Sequence, residues 1–275
     1  MRDQAASMRA LARTAVRNGR HRPHVLTVTS GKGGVGKSTI ALNLAVVMGT
    51  MGRPTLLVDA DANLGSADLA LGLAPTRRLG DVLRGACDVQ DALLRPFSGM
   101  ALLPGSSGEA DYPMLSGEDQ RRLIDELQDL DESPELVVID TGAGLSPEVI
   151  GYAELADTVL VVTRVEPTAV LDAYAMIKVL LAGKPDARVQ LLVNGVRSPE
   201  DADQTAQKLQ AALRHFVRYE LEYAGFVPED PEVVRALERR RPVVEAYPGA
   251  ASTLSLKALA VRFADSCAQN QRIAV

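Results

Sequence analysis

A glycine-rich segment near the start of the chain has the spacing of a phosphate-binding loop, G-x-x-x-x-G-K-[ST]. Its glycines let backbone N–H groups converge on phosphate oxygens, and a helix that begins at the loop adds a favourable dipole. In this arrangement Lys37 contacts the β- and γ-phosphates and the Ser38 hydroxyl ligates Mg²⁺. A purely structural glycine turn is the alternative. The expected phosphate-contacting positions are Gly31, Lys32, Gly33, Gly34, Val35, Gly36, Lys37, Ser38 and Thr39.

Carboxylates stand at the ends of two apolar segments that follow this loop. Asp59 and Asp61 end the segment that starts at Thr55, and Asp140 ends the run that starts at Leu136. The carboxyl ends of parallel strands face the ligand crevice, where Mg²⁺ and an attacking water must be held. Asp140 therefore has the place of a carboxylate that holds Mg²⁺ through water. The two segments predict a magnesium and water site beside the loop.

The elements that must position these groups are short apolar runs that alternate with helix-length segments. Several runs are apolar nearly throughout, as strands covered by helices on both faces must be. The pattern predicts an α/β fold, with a single-domain, mostly parallel, doubly wound sheet flanked by helices. A loop is expected at residues 105–117. Strands are expected at 25–29, 55–59, 100–103, 136–140, 158–163, 188–193 and 221–227, and helices at 38–51, 168–181, 201–216 and 252–267.

Basic residues are concentrated at the amino end of the chain. The whole chain has 30 Lys and Arg residues against 35 Asp and Glu, yet residues 1–24 hold six arginines and a single acid, Asp3. We therefore divide the chain into a basic arm with a short helix (1–24), one domain (25–268) and a short tail (269–275). The acidic body, with 4% aromatic residues and no tryptophan, predicts that nucleic acid is not a partner.

Cysteine usage and hydropathy exclude several classes of protein. Cys87 and Cys267 are the two cysteines, and their separation argues against a disulfide framework, a zinc ribbon or an iron–sulfur ligand set. The sequence has no apolar run of about 18 residues, and its start lacks the apolar stretch of a signal peptide. These features predict a cytoplasmic protein, with peripheral contact at the inner face of the cell membrane left open.

The second lysine of the loop, Lys32, carries a resemblance to a known family. The string from Lys32 to Thr39 resembles the deviant Walker A motif of the MinD/ParA ATPases, which have the P-loop NTPase fold. The resemblance implies ATP and Mg²⁺ as cofactors and an ATP-bound homodimer. In that dimer Lys32 reaches the phosphates of the partner subunit. It also implies slow, switch-type ATP hydrolysis with Lys32, Lys37 and Asp61 as the catalytic residues.

The carboxylate segments resemble the two switch regions of the same family. The resemblance makes Asp61 the residue that orients the attacking water, and it makes Ser38, Asp59 and Asp140 the Mg²⁺-side set. Asp68 matches a third acid of switch I, although a helix-capping role is as consistent with its position. The segment that follows Asp140 resembles switch II, with Gly142 where the family commonly has proline.

Two further positions resemble the adenine site of this family. Asn194, at the end of an apolar run, matches the asparagine that contacts the base. Pro228 and Glu229, which follow the next run, match the loop that closes over it. All three residue types are also common in turns and caps, so a purely structural role is the alternative.

The amino-terminal arm resembles one branch of the family. Residues 3–9 are similar to the D-Q-A-x-x-L-R element of the flagellar-number regulators FlhG and FleN, with Met8 in place of leucine. In that branch the element binds the GTPase FlhF. As a helix, the arm has an apolar stripe, and it could dock on a partner, lie on an anionic membrane or fray in solution. The expected partner-binding residues are Asp3, Gln4, Ala5, Met8 and Arg9; the apolar stripe comprises Ala5, Met8, Leu11, Ala12 and Ala15.

Together these features predict an ATP-dependent, dimerising switch that regulates flagellar number or placement. Its expected partners are a second copy of the chain, an FlhF-like GTPase, and a flagellar transcription regulator or switch-complex protein. The alternatives are an ATP-locked scaffold and a cell-division or partition-type positioning ATPase. Partition would require a basic DNA-binding face, for which only the arm and residues 239–241 offer arginines. The tail at 269–275 is too short for the basic amphipathic helix by which some relatives bind membranes.

Overall fold

One eight-stranded sheet organises the chain. The computed structural model describes residues 22–61, 65–106, 115–128, 130 and 133–273, with side chains of the last helix to residue 264. The strand order is β3-β4-β2-β5-β1-β6-β7-β8, and every neighbouring pair is parallel except β3 and β4. The strands are β1 (His24–Ser30), β2 (Thr55–Ala60), β3 (Leu94–Phe97), β4 (Met100–Leu103), β5 (Leu136–Ala143), β6 (Thr158–Thr163), β7 (Val189–Val196) and β8 (Glu222–Pro228).

Helices cover both faces of this sheet. Four of them begin with proline at the first helical turn, where its missing N–H costs no hydrogen bond. The described helices are α1 (Lys37–Thr50), α2 (Ala67–Ala70), α3 (Leu79–Leu83), α4 (Val89–Ala92), α5 (Gly117–Gln128), α6 (Pro147–Leu155), α7 (Pro167–Gly183), α8 (Pro199–Phe216), α9 (Pro231–Glu238), α10 (Val243–Ala246) and α11 (Ala251–Ile273).

The central strands divide their side chains between two cores. In β1, Val25 packs in the core under α3–α8, whereas Leu26 and Val28 pack in the core under α1 and α11. Strand β6 repeats this alternation, with Val159 on one face and Leu160 on the other. Because successive side chains of a strand point to opposite faces, a strand covered on both sides must be apolar throughout. This confirms the predicted doubly wound α/β fold.

The seven expected strands and four expected helices are present, with ends displaced by a few residues. Strand β3 was not predicted, because it contains Pro96 and lies at the sheet edge, where proline is tolerated. Gly117, the last residue of the expected loop at 105–117, begins helix α5, and residues 107–114 lie outside the described residues. Helix α11 continues to Ile273, while the division of the chain at residues 24 and 268 stays a prediction.

Candidate functional site

The glycine-rich loop lies between the buried strand β1 and the first turn of α1. Gly36 occupies the cap position of α1 with φ of 97° and supplies no side-chain cap, so the first N–H groups of the helix are left for an anion. A Cβ at Gly36 would stand 2.3 Å from the Asn194 amide nitrogen, and one at Gly31 would stand 2.1 Å from the Asp172 carbonyl oxygen. Both positions therefore require glycine. Lys37 follows directly and is buried, with 7% of its surface exposed.

Lys32 lies on the outer side of this loop. Its side chain is exposed, and its Nζ donates a hydrogen bond of 3.0 Å to Thr168 Oγ1 in the first turn of α7. The Lys32 carbonyl accepts from the Ser30 hydroxyl at 2.8 Å, which fixes the backbone at this point. The amine is thus held at the surface of its own subunit, apart from the buried Lys37.

Asp59 and Asp140 are neighbours at the carboxyl ends of β2 and β5. They are register partners across the two strands, and both are almost fully buried. Burial raises the pKa of each carboxyl, and for Asp140 the charge of Asp59 raises it further, while a hydrogen bond from the Ser38 hydroxyl and the charge of Lys37 act in the opposite direction. Two buried acids that are unfavourable as neighbouring anions are stabilised by a bound cation.

The donors at this edge fit Mg²⁺. They are two carboxylates and the hydroxyl of Ser38, all hard oxygen ligands. Asp140 Oδ1 is buried and accepts no hydrogen bond within the described part of the chain, so a metal-bound water could satisfy it. Among the described residues no three His, Cys, Asp or Glu side chains converge on one point. A magnesium ion here would need phosphate oxygens as further ligands, which is its usual mode of binding beside nucleotides.

Asp61 lies where the loop after β2 meets the segment after β5. A Cβ at Gly142 would stand 3.4 Å from Asp61 Oδ1 and 3.8 Å from Val149 Cγ2, so this glycine lines the Asp61 side chain. Asp61 N also donates a long bond of 3.4 Å to Asp59 Oδ1, and Ala67 N donates to Asp59 Oδ2 at 2.9 Å. Asp59 therefore holds both ends of the segment 61–67, of which residues 62–64 lie outside the described residues.

Glu148 is a member of this cluster that the sequence did not reveal. It stands in the first turn of α6, after the capping Ser146. Its Oε1 is buried and makes no hydrogen bond to the described residues. Burial, and then the charge of Asp61, raise its pKa to about 7. An acid just after a Ser-Pro helix start is common at helix amino ends, so the sequence alone gave no reason to place it beside Asp61.

Asp68 has a structural partner. It lies inside α2 with its side chain almost fully buried, and Arg78 Nη2 donates to its Oδ2 at 2.9 Å. Arg78 Nη1 also donates to the Gly105 carbonyl at 2.8 Å. The cap position of α2 belongs to Ser66, so the predicted capping alternative for Asp68 is wrong. The Asp68–Arg78 pair instead joins α2 to the loop after β4.

The expected adenine residues lie at the ends of β7 and β8. Asn194 Nδ2 donates to the Val35 carbonyl at 2.7 Å and so supports the phosphate loop directly. Pro228 pairs with Val196 at the end of β8, and Glu229 Oε2 accepts from Arg197 Nε at 3.2 Å. These contacts place Asn194 beside the phosphate loop and place Pro228 and Glu229 beside the end of β7. Contact of all three with adenine stays a prediction. The expected partner residues Asp3, Gln4, Ala5, Met8 and Arg9 lie outside the described residues.

Known proteins with similar sequences share most of this chain. Residues 26–243 match the CobQ/CobB/MinD/ParA nucleotide binding domain. The antiactivator FleN of Pseudomonas aeruginosa is 37% identical over 240 residues, which cover 87% of this chain and 86% of FleN. The flagellum site-determining protein YlxH of Helicobacter pylori is 32% identical over 218 residues, which cover 78% of this chain and 73% of YlxH.

A solved structure has the same fold. The septum site-determining protein MinD from Pyrococcus horikoshii, complexed with Mg-ADP, superposes with a TM-score of 0.73 at 25% identity, covering 86% of this chain and 94% of that one. None of the helices in the described part of this chain is both long and apolar enough to cross a membrane.

Proposed function

The chain belongs to the CobQ/CobB/MinD/ParA nucleotide-binding family, and we propose that it is an ATPase switch that dimerises on ATP and regulates flagellar number or placement. The observation that carries the ATPase assignment is the phosphate loop with two buried carboxylates, Asp59 and Asp140, in register beside it. The similarity to YlxH supports the flagellar assignment, because its name is that of a flagellum site-determining protein. The similarity to the antiactivator FleN adds support, because the arm resembles the D-Q-A-x-x-L-R element of that branch.

The proposed chemistry is attack of water on the γ-phosphate of ATP. The water oxygen bonds to the γ-phosphorus, the bond to the oxygen bridging the β- and γ-phosphates breaks, and ADP and phosphate leave. Lys37 and the α1 amino end would neutralise the phosphates, and Asp61 would orient the water. Mg²⁺, held on the side of Ser38, Asp59 and Asp140, would supply further charge neutralisation. Asn194, Pro228 and Glu229 would contact the adenine.

ATP turnover of point variants tests this mechanism. Lys32→Ala and Asp61→Ala should each lower the turnover rate by on the order of a hundredfold, because charge stabilisation and water positioning contribute that much in related chemistry. Lys178→Ala, which removes an exposed lysine of α7, is the matched control and should hydrolyse ATP normally. Chelation of Mg²⁺ should stop turnover in every variant. Wild-type turnover by Lys32→Ala or Asp61→Ala would defeat the mechanism.

The arm is the proposed binding site for an FlhF-like GTPase, through Asp3, Gln4, Ala5, Met8 and Arg9. A peptide of residues 1–20 should stimulate GTP hydrolysis by a purified FlhF-like protein, and the same peptide with Gln4→Ala should not. Absence of stimulation, or equal stimulation by both peptides, would remove the flagellar assignment and leave the ATPase assignment intact. A flagellar transcription regulator or switch-complex protein is the second proposed partner.

A cell-division role is the alternative supported by the fold, since the similar structure is that of a septum site-determining protein. Deletion of the gene separates the two roles. The flagellar role predicts cells with altered flagellar number or position and normal septa, whereas misplaced septa with normal flagella would favour the alternative. Full function of an Asp61→Ala variant that still binds ATP would indicate an ATP-locked scaffold.

A further inference from the structure

An open apolar groove lies at the opposite end of the sheet from the phosphate loop. Its volume is about 680 Å³, and it runs from the first residues of β2 and β4 to the β3–β4 hairpin. It continues the core under α4 and α5 to the surface, because Leu56 and Leu130 belong to both. The nucleotide site does not reach it. Its apolar lining includes Leu93, Pro96, Phe97, Ala101, Leu130 and Pro134.

The described chain begins two strands away from this groove. His24 N donates to the Glu135 carbonyl at 2.9 Å, and Glu135 N donates to the Pro54 carbonyl at 2.7 Å. Pro54 and Pro134, on either side of this hydrogen-bonded link, both line the groove. His24 pairs with Leu136, which pairs with Thr55, so β1 starts two strand spacings, about 10 Å, from the groove. Arg22 Nη2 lies 3.7 Å from Asp157 Oδ1, just before β6, so the arm must turn back across β1 to reach the groove.

The arm is long enough to reach the groove and has a matching surface. Residues 16–21 alone can span up to about 20 Å, which exceeds the distance of about 10 Å between β1 and the groove. The arm carries the apolar stripe of Ala5, Met8, Leu11, Ala12 and Ala15, together with six arginines. The apolar stripe of the arm thus matches the apolar lining of the groove, whose described residues also include Arg95.

We propose that this groove is the docking site of the chain's own arm, with the apolar stripe at residues 5–15 in contact with Leu93, Phe97 and Ala101. Docking removes apolar surface of both the arm and the groove from water. The stripe includes Ala5 and Met8, so a partner that binds the arm must first displace it from the groove. The groove therefore regulates how readily the arm is available to a partner.

A tryptophan probe in the groove tests this contact. The chain has no tryptophan, so Phe97→Trp introduces a single fluorophore at a half-buried lining position. In the full chain, a further Leu11→Asp substitution should raise acrylamide quenching about twofold, because the stripe no longer covers the groove. Ala10→Asp makes the same charge change on the opposite face of the arm helix, and it should leave quenching unchanged.

A second tryptophan probe is needed because Phe97→Trp could itself disturb the packing of the groove. Ser98→Trp places the fluorophore on the exposed turn of the same hairpin. The inference requires that Leu11→Asp raises quenching at one probe or both and that Ala10→Asp raises it at neither; any other pattern overturns it. If Leu11→Asp leaves acrylamide quenching unchanged, and quenching falls as the protein concentration rises, the occupant of the groove is a second copy of the chain. No nucleotide or partner is present, so this result is independent of the proposed function.

Discussion

At the scale of single residues, buried charge gives the nucleotide site its chemistry. Asp59 and Asp140 stand side by side with almost no exposure, and Lys37 is buried close to them. Such groups are unfavourable unless they are paired or bind an ion. Their burial is therefore better explained by a ligand that brings its own charges, a nucleotide with its metal ion, than by a role in folding.

Glu148 gives a prediction about pH. Its pKa is raised to about 7 in the folded chain, so the folded state keeps a proton that the unfolded state loses from about pH 4.5 upwards. The contribution of Glu148 to the free energy of unfolding is fully present below about pH 4.5 and is lost as pH rises towards 7. Because the group is only half buried, the expected loss is about 1 kcal/mol.

Urea unfolding of Glu148→Gln checks this. The variant should match the wild type near pH 4.5 and exceed it by about 1 kcal/mol near pH 8. Glu118→Gln, which removes an exposed carboxylate, should show no such difference between the two conditions. Equal unfolding free energies of Glu148→Gln and the wild type at both pH values would show that burial does not raise the pKa of Glu148.

The sequence predicts the positions of some of these residues and not of others, and the reason is physical. Asp59 and Asp140 follow apolar strands, and a strand end fixes which edge of the sheet a side chain occupies. Glu148 and Arg78 lie on a helix turn and a loop, and their contacts with Asp61 and Asp68 depend on how distant segments pack. Local patterns of the sequence do not contain that information.

At the scale of elements, the loops after β1, β2 and β5 form the site, and helix ends hold them in place. Lys32 is bound to the first turn of α7, and Arg78 joins α2 to the loop after β4. The first contact joins the phosphate loop to α7, and the second is next to Asp59, which accepts a hydrogen bond from the first residue of α2. A change at the phosphates can therefore be passed to α2, α6 and α7 through few side chains.

The Lys32–Thr168 hydrogen bond predicts a restraint on dimerisation. If Lys32 must leave Thr168 to reach the partner subunit's phosphates, Thr168→Val should strengthen ATP-dependent dimerisation about thirtyfold. A symmetric dimer breaks this hydrogen bond once in each subunit, and each bond is worth about 1 kcal/mol. Sedimentation of the ATP-bound protein at several concentrations measures this. Thr50→Val, at the far end of α1, is the control. A weaker dimer for Thr168→Val would mean that Thr168 helps Lys32 rather than restrains it.

The Arg78–Asp68 pair predicts a large effect on stability. Asp68 is 1% exposed and Arg78 19% exposed, so Arg78→Ala would leave a buried carboxylate without its cation. The expected loss is about 3 kcal/mol of unfolding free energy, measured by denaturant titration. Arg214→Ala breaks an exposed pair with Glu220 and should change stability little. An equally small effect of both variants would show that Asp68 is stabilised by other groups.

At the scale of the whole molecule, the nucleotide site and the apolar groove lie at opposite ends of one sheet. At the carboxyl ends of the strands lie the phosphate loop and the loops after β2, β5, β7 and β8. At the amino ends of the strands lie the apolar groove and the start of β1. The parallel sheet was predictable because buried strands are apolar throughout. The groove was not, because it depends on strand β3, whose proline made it unlike a strand in sequence.

We propose that ATP joins two copies of the chain through Lys32. Asp61→Ala, in which ATP should bind without being hydrolysed, allows the most direct measurement: the sedimentation mass with saturating Mg-ATP. We expect twice the mass of one chain, a single-chain mass with Mg-ADP, and a single-chain mass with Mg-ATP when Lys32→Ala is added. A mass that does not change with nucleotide, or a dimer that survives Lys32→Ala, would contradict the account.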